Sequence, residues 1–571
     1  MKRILSLIII ALAALNIMPT SAKTVRIKVV QTTDIHGNFF PYDFINRKAW
    51  GGSLARVHTF VENERATYGD NLILLDDGDI LQGQPSAYYY NFIDTTSTHL
   101  CADIMNYMGY TAGTMGNHDI ETGHAVYDRW VKDCKFPILG ANIIDTKTGE
   151  PYIAPYKIVD CDGVKVAILG LITPAIPAWL AENLWEGLYF EDMEVSARKW
   201  VKIIQEKECP DLLIGLFHSG RNASRSIGKW NENASLSVAQ NVAGFDIVLM
   251  GHDHQPFCQN VATANGNYVM AVNAGSNGNL AGDISITITK KGKKTTKNID
   301  ARLADMNKYE PSAQLMAHFE KQYNEVNDFV NQLIGTITAK LDTRPAYFGS
   351  SAFIDFIHSL QMAISGAEIS FAAPLSFNAK INKGDIYMSD MFNLYKYENM
   401  LYVMELSGKE IKNYLEYSYS IWTQQMTSPD DHILLLKENK NGMSFKNASY
   451  NFDSAAGIIY TVDVTKPQGE KINIISMADG SAFNLDKTYR VALNSYRGNG
   501  GGELLTKGAG IPQEELSKRI LFSTDKDLRF YLMEYIKQQG TLSPKPLNQW
   551  RFIPEEWVKQ AAKRDYDLLF K

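Results

Sequence analysis

The sequence predicts an α/β protein of two domains, with its chemistry gathered at strand ends in the first. Three observations carry that prediction. The first is length: 571 residues exceed a single ordinary core, so two domains or more are expected. The second is a pattern repeated from residue 25 to about 301. Short runs rich in Val, Ile and Leu end in clusters of Asp, His, Asn and Gly. The third is a helical stretch near residue 320, beyond which helices and strands alternate in a different texture.

Taken in order, Lys2 and Arg3 precede an almost wholly apolar run from Ile4 to Met18, and Thr20-Ser21-Ala22 supplies small residues. This is the pattern of a signal peptide over 1–22. At about fifteen residues the run is too short for a comfortable membrane span. No Cys follows it, so lipid modification is not indicated. The rest, 23–571, reads as a soluble monomer in the periplasm or secreted. Without Lys2 and Arg3, 55 basic residues face 63 acidic ones, a net charge of −8. Such a surface excludes a nucleic-acid polymer as partner, and no basic amphipathic stretch suggests membrane adhesion. Cys101, Cys134, Cys161, Cys209 and Cys258 are odd in number and widely spaced. They read as buried free thiols with at most one bridge.

The runs at 25–30, 72–75, 164–172, 212–217 and 247–250 read as strands of a largely buried sheet. Helical stretches at 53–68 and 195–207 cover its faces. Polar clusters just past strand ends are where open α/β sheets place ligands. This domain is assigned to 23–309. A connector helix follows over 310–335, with Leu315, Phe319, Tyr323, Val326, Val330 and Leu333 near one face and Pro311 in its first turn. Helices at 352–364, 409–419 and 526–538, with strands at 400–406, 457–464 and 489–493, make a second α/β domain over 336–571.

Five motifs stand in order in the first domain: TTDIHG at 32–37, DDGD at 76–79, GNHD at 116–119, FHSG at 217–220 and GHDH at 251–254. Asp34 and His36 lie two apart at a strand end, as do His252 and His254, so each pair can face one side. Asp79 and Asn117 sit on Gly-flanked turns that can bend close to an ion. Any one motif alone is commonly loop chemistry or a helix cap. Five at strand ends, using six of eleven histidines when His124 is counted, are not a chance assembly. His124 itself falls on a helix past the turn and is left out, and His58 and His99 read as ordinary residues. Imidazole, carboxylate and carboxamide together suit Zn, Mn, Fe or Co. Seven side chains suit two divalent ions sharing a carboxylate, a pair able to draw hydroxide from water near neutral pH. No GxSxG elbow competes with that reading.

DxH, GDxxxG (Gly78-Asp79 to Gly83), GNHD, H and GHxH in this order resemble the calcineurin-like metallophosphoesterases. Asp-Ile-His-Gly and the two-domain length resemble the 5′-nucleotidase and 2′,3′-cyclic phosphodiesterase branch. The resemblance implies a four-layer αββα domain joined by a helix to a C-terminal α/β nucleotide-binding domain. It implies that Asp34, His36 and His254 hold one ion, that Asn117, His218 and His252 hold the other, and that Asp79 bridges them. It implies that His118 acts on the transition state or the leaving oxygen. Where many relatives orient this imidazole with an Asp, this chain has Glu121.

Three further stretches carry the resemblance: 383–416, 451–465 and 491–502. By it, Tyr397 and Tyr496 sandwich a base and Asn399 hydrogen-bonds to it, while Tyr395 reads as a core residue. One substrate then spans both domains, which calls for a hinge near the connector. Two departures bear on the substrate. The 5′-nucleotidases usually carry an Arg where this chain has Asn378, and Gly-Gly-Asp where it reads Gly500-Gly501-Gly502-Glu503. Both favour 2′,3′-cyclic-nucleotide 2′-phosphodiesterase/3′-nucleotidase activity over a 5′-nucleotidase or nucleotide-sugar hydrolase. A non-catalytic nucleotide-binding surface protein is the alternative of another class, and seven intact ligand positions argue against it.

Overall fold

The computed structural model describes residues 22–571 apart from 222–225, 228–229, 292–293 and 440–441. The expected signal peptide, except Ala22, lies outside the described residues. No helix among the described residues is long and apolar enough to cross a membrane.

The apolar runs of the first domain divide between two six-stranded sheets. One has the order Lys294–Asp305, Leu280–Lys291, Lys23–Thr32, Leu72–Asp76, Ala112–Thr114, Ile138–Leu139. The other runs Phe257–Ala262, Tyr268–Asn273, Ile247–Met250, Leu212–His218, Val164–Ile172, Tyr156–Cys161. Side chains alternate across each strand. Ile27, Val29, Ile73 and Leu75 point inward, where they meet Ile168, Ile214, Leu216 and Leu249 of the facing sheet. Val30, Leu72 and Leu74 point outward against Leu54, Phe60 and Val61 of helix Leu54–Tyr68. On the far side Leu169 and Leu171 pack against Trp200 and Ile204 of helix Met193–Glu208. The result is four layers, αββα. A single sheet read from the runs is thereby corrected to two. Runs buried on both faces look the same whether helices or a second sheet cover them.

The connector also differs from expectation. It is two helices, Ala313–His318 and Glu320–Val330, broken at Phe319. Ser312 caps the first through its hydroxyl, which accepts from the Leu315 N–H, so Pro311 precedes the helix and is not in its first turn. Leu333 and Ile334 are not helical. They belong to strand Leu333–Ile337, which pairs with Gly384–Tyr387 and Thr541–Leu542, so the second domain begins before residue 336. Leu315, Phe319, Val326, Phe329 and Val330 share one apolar core with residues of both domains.

The second domain is built on a five-stranded sheet ordered Ser454–Ala456, Ile369–Ala372, Thr488–Asn494, Met400–Ser407, Ile520–Asp527. Helices Ala352–Ser365 and Gly408–Trp422 pack on it. Lys526, expected in a helix, lies in the last strand, whose final residue Asp527 caps helix Leu528–Gln539. All five cysteines are free thiols. Only Cys101 and Cys161 are buried, and Cys209 is exposed.

Candidate metal centre and active site

The five motif loops meet at the carboxyl ends of the central strands of both sheets. Lys23–Thr32 runs parallel to Leu72–Asp76, and Leu212–His218 runs parallel to its two neighbours, so their polar loops emerge on one side. The backbone there is forced. Asp34, His36, Asp79, His252 and His254 all have positive φ, between 49° and 70°. A left-handed conformation costs a non-glycine residue about 1–2 kcal/mol, and such strain clusters at functional sites. Gly116 is required because a Cβ there would lie 2.1 Å from Asp79 Oδ1.

Two groups of donors form. In one, Asp34 Oδ1 lies 3.1 Å from His254 Nε2 and 4.0 Å from His36 Nε2, and the two imidazole nitrogens are 3.0 Å apart. In the other, His218 Nε2 lies 3.2 Å from both Asp79 Oδ2 and Asn117 Oδ1, and His252 Nδ1 is 2.8 Å from Asn117 Oδ1. Asp79 also acts on His36 and Asp34 of the first group through its charge.

Backbone acceptors fix the tautomers. His36 Nδ1 donates to the Gln82 carbonyl at 3.1 Å and His218 Nδ1 to the Asp77 carbonyl at 2.6 Å, so in each ring Nε2 is the nitrogen turned to the centre. His252 is reversed: its Nε2 donates to Glu232 Oε1 at 3.1 Å, leaving Nδ1 for the centre. Converging imidazole nitrogens and carboxylate oxygens fit divalent cations, which would take the place of the His218 Nε2 proton. The charges agree. Burial resists ionisation of Asp34 and Asp79, yet the facing imidazoles hold both carboxyls below their usual range, Asp79 well below it. Burial likewise disfavours an imidazolium at His218, and the Asp79 and Asp34 carboxylates overcome it, raising the group to about 10.

His118 and Glu121 lie at either end of one helical turn, Asn117–Ile120, and the i,i+3 spacing puts them on one face. Nδ1 of His118 is 2.5 Å from Glu121 Oε2, so the longer carboxylate does reach. Burial lowers the His118 pKa, but Asp79 and then Glu121 bring it up to about 9. The ring stands 5.6 Å from that of His36.

His118, Glu121, Asn117 and His252 form one end of an interdomain cleft of about 670 Å³. Tyr397, Asn399 and Tyr496 from the second domain line the same cleft. Tyr395 is buried in the core, as expected. His124 sits on helix His124–Asp133, bonded to Asp128 and the Glu186 carbonyl, away from the centre.

The sequence reading missed residues that serve this site. Asp119 is fully buried and accepts from the N–H groups of Asp79, Ile80, Leu81 and Gly116. It stands last in GNHD, so the motif itself held that signal. Glu232, which orients His252, and Trp179, whose ring lies 5.6 Å from that of His252, have no local signature. Arg497 is buried and binds Asp453 through Nε and Nη2, both at 3.0 Å, and the Tyr450 carbonyl. It ties the Tyr496 turn to the stretch near 451.

The model of the family described as calcineurin-like phosphoesterase matches residues 27–256, and that of the 5′-nucleotidase C-terminal domain matches residues 333–507. Over 94% of its length the chain is 28% identical to the Trifunctional nucleotide phosphoesterase protein YfkN of Bacillus subtilis, and it spans 39% of that longer protein. It is 27% identical to the 2′,3′-cyclic-nucleotide 2′-phosphodiesterase/3′-nucleotidase of Yersinia enterocolitica, across 96% of this chain and 92% of the relative. The solved 5′-nucleotidase precursor of Thermus thermophilus has the same fold, with a TM-score of 0.62 at 21% identity over 93% of this chain and 100% of that one. With both domains matched in order around a cleft of this chemistry, the chain belongs to the calcineurin-like phosphoesterases that carry a 5′-nucleotidase C-terminal domain, and it is a phosphoester hydrolase.

Proposed function

We propose that this chain is a two-metal hydrolase acting outside the cytoplasm, as a monomer, on 2′,3′-cyclic nucleotides and 3′-nucleotides. One observation carries the reading: His118 and two of the candidate ligands, Asn117 and His252, share a single cleft with Tyr397, Asn399 and Tyr496 from the other domain. Asp34, His36 and His254 would hold one cation, Asn117, His218 and His252 the second, and Asp79 both. When bound, such cations acidify water and draw charge from phosphoryl oxygens.

The chain's own groups do the rest. Glu121 holds Nδ1 of His118, so Nε2 faces the cleft and passes a proton to the departing sugar oxygen. Tyr397 and Tyr496 stack the base, and the two domains close off water around the ester. Asn378, where the resemblance places the phosphate-holding Arg of 5′-nucleotidases, is exposed and lies outside the lining of the cleft. That supports cyclic and 3′-substrates, as does the name of the Yersinia relative.

A panel of 2′,3′-cyclic AMP, 3′-AMP, 5′-AMP and UDP-glucose, run with added Mn, Zn or Co, tests the reading. The highest kcat/KM is expected for the cyclic nucleotide. Turnover of 5′-AMP alone would overturn the substrate assignment.

A further inference from the structure

The cleft that holds His118 and Tyr397 is also lined by a carboxylate that the mechanism above does not use. Glu398 lies between Tyr397 and Asn399 in the chain, lines the same cleft, and is only 8% exposed. Its Oε1 accepts from Arg529 Nη1 at 2.9 Å. Arg529 is itself fully buried. It donates to the Tyr395 carbonyl at 3.1 Å and the Lys396 carbonyl at 2.9 Å, and its guanidinium lies over the rings of Phe392 and Tyr88. An arginine so fixed holds the carboxylate in place, and its charge opposes the burial that raises the group's pKa. Oε2, by contrast, is buried with no hydrogen-bond partner in the protein. A buried carboxylate oxygen without a donor is costly, and native proteins leave few such atoms without a reason.

The position says what donor to expect. Glu398 is next to Tyr397 and near enough to His118 for its charge to act on that imidazole. A nucleotide with its base on Tyr397 and its phosphate beside His118 places its sugar there. A sugar hydroxyl is a neutral donor, and an anionic phosphate oxygen is not one. Building on the 3′-nucleotide part of the proposed function, we infer that Glu398 is a specificity-determining residue whose Oε2 accepts a hydrogen bond from a free ribose 2′-hydroxyl, favouring ribonucleotides over deoxyribonucleotides.

The test compares kcat/KM for 3′-AMP and 2′-deoxyadenosine 3′-monophosphate, with AMP and dAMP as the 5′ pair, in wild-type protein and Glu398→Gln. A hydrogen bond to a charged acceptor implies a ribose preference of about tenfold or more in the wild type. In Glu398→Gln the ratio should fall by about threefold or more, because a hydrogen bond with a neutral amide replaces one to a charged acceptor. The double variant Glu398→Leu with Arg529→Met replaces the buried pair by apolar groups of similar size, a change proteins tolerate, and should bring the ratio to within about twofold of unity. A wild type with no ribose preference, or a folded variant that keeps it, overturns the inference and leaves nucleotide hydrolysis standing. A wild type that turns over none of the four and leaves 2′,3′-cyclic AMP intact as well overturns both readings.

Discussion

Replacing Asp119 by Asn tests whether one carboxylate holds the Asp79 loop from behind. Oδ2 accepts from the Asp79 and Gly116 N–H groups at 2.8 Å, and Oδ1 from those of Ile80 and Leu81 at 2.9 Å. An Asn keeps one oxygen and turns an NH2 toward the other two donors. Two buried N–H groups are then left unsatisfied, each at about 1–3 kcal/mol, so a destabilisation of about 2–6 kcal/mol is expected. The loop also holds Asp79 in its left-handed conformation, φ 56°, so its loosening should reduce bound metal as well. Urea unfolding, with and without chelator, gives the first quantity, and mass spectrometry of the desalted protein gives the second. An unchanged midpoint together with two metals per chain would refute the argument.

Asp79→Ala should abolish nearly all turnover and leave fewer than two metals per chain, measured by the same mass spectrometry; full occupancy with wild-type turnover would sink its bridging role. His118→Ala should lower kcat by roughly 10²–10⁴-fold with metal content kept, and the loss should shrink on p-nitrophenyl esters, whose leaving group hardly needs a proton. An equal loss on both ester types would assign His118 to phosphate stabilisation instead. Tyr496→Ala should lower kcat/KM for 2′,3′-cyclic AMP by about tenfold or more through lost stacking, yet barely change bis-p-nitrophenyl phosphate hydrolysis. In metal-stripped protein His118 is raised from its ordinary 6.5 to about 9. Its stabilising contribution is therefore complete below pH 6.5 and disappears as pH rises through 9. The Tm of chelator-treated protein should fall across that interval, and a flat Tm would contradict the proposed pairing.

The parts of this molecule legible in the sequence are those written locally. Asp34 with His36, and His252 with His254, sit two apart at strand ends, and the structure brings each pair to the centre. Glu121 was legible through the resemblance, three residues past His118 where many relatives carry an Asp. What the sequence concealed is set by distant contacts. Glu232 meets His252 across twenty residues of chain, and Glu398 meets Arg529 across more than a hundred. Neither separation leaves a local pattern. The break at Phe319 was hidden because the apolar spacing continues through it, and the split into two sheets because a doubly buried strand carries no label for its cover.

The burial of the connector has a consequence for how the protein comes apart. A tether would let the two halves melt independently. Here Leu315, Phe319, Val326 and Phe329 share a core with Phe60 of the first half and Leu532 of the second, so stripping the link exposes apolar surface on both. Heat should find one cooperative block and give a single calorimetric transition. Any movement that admits a substrate then has to swing two intact bodies over a packed pivot, because local unfolding of the link would break the core that holds them.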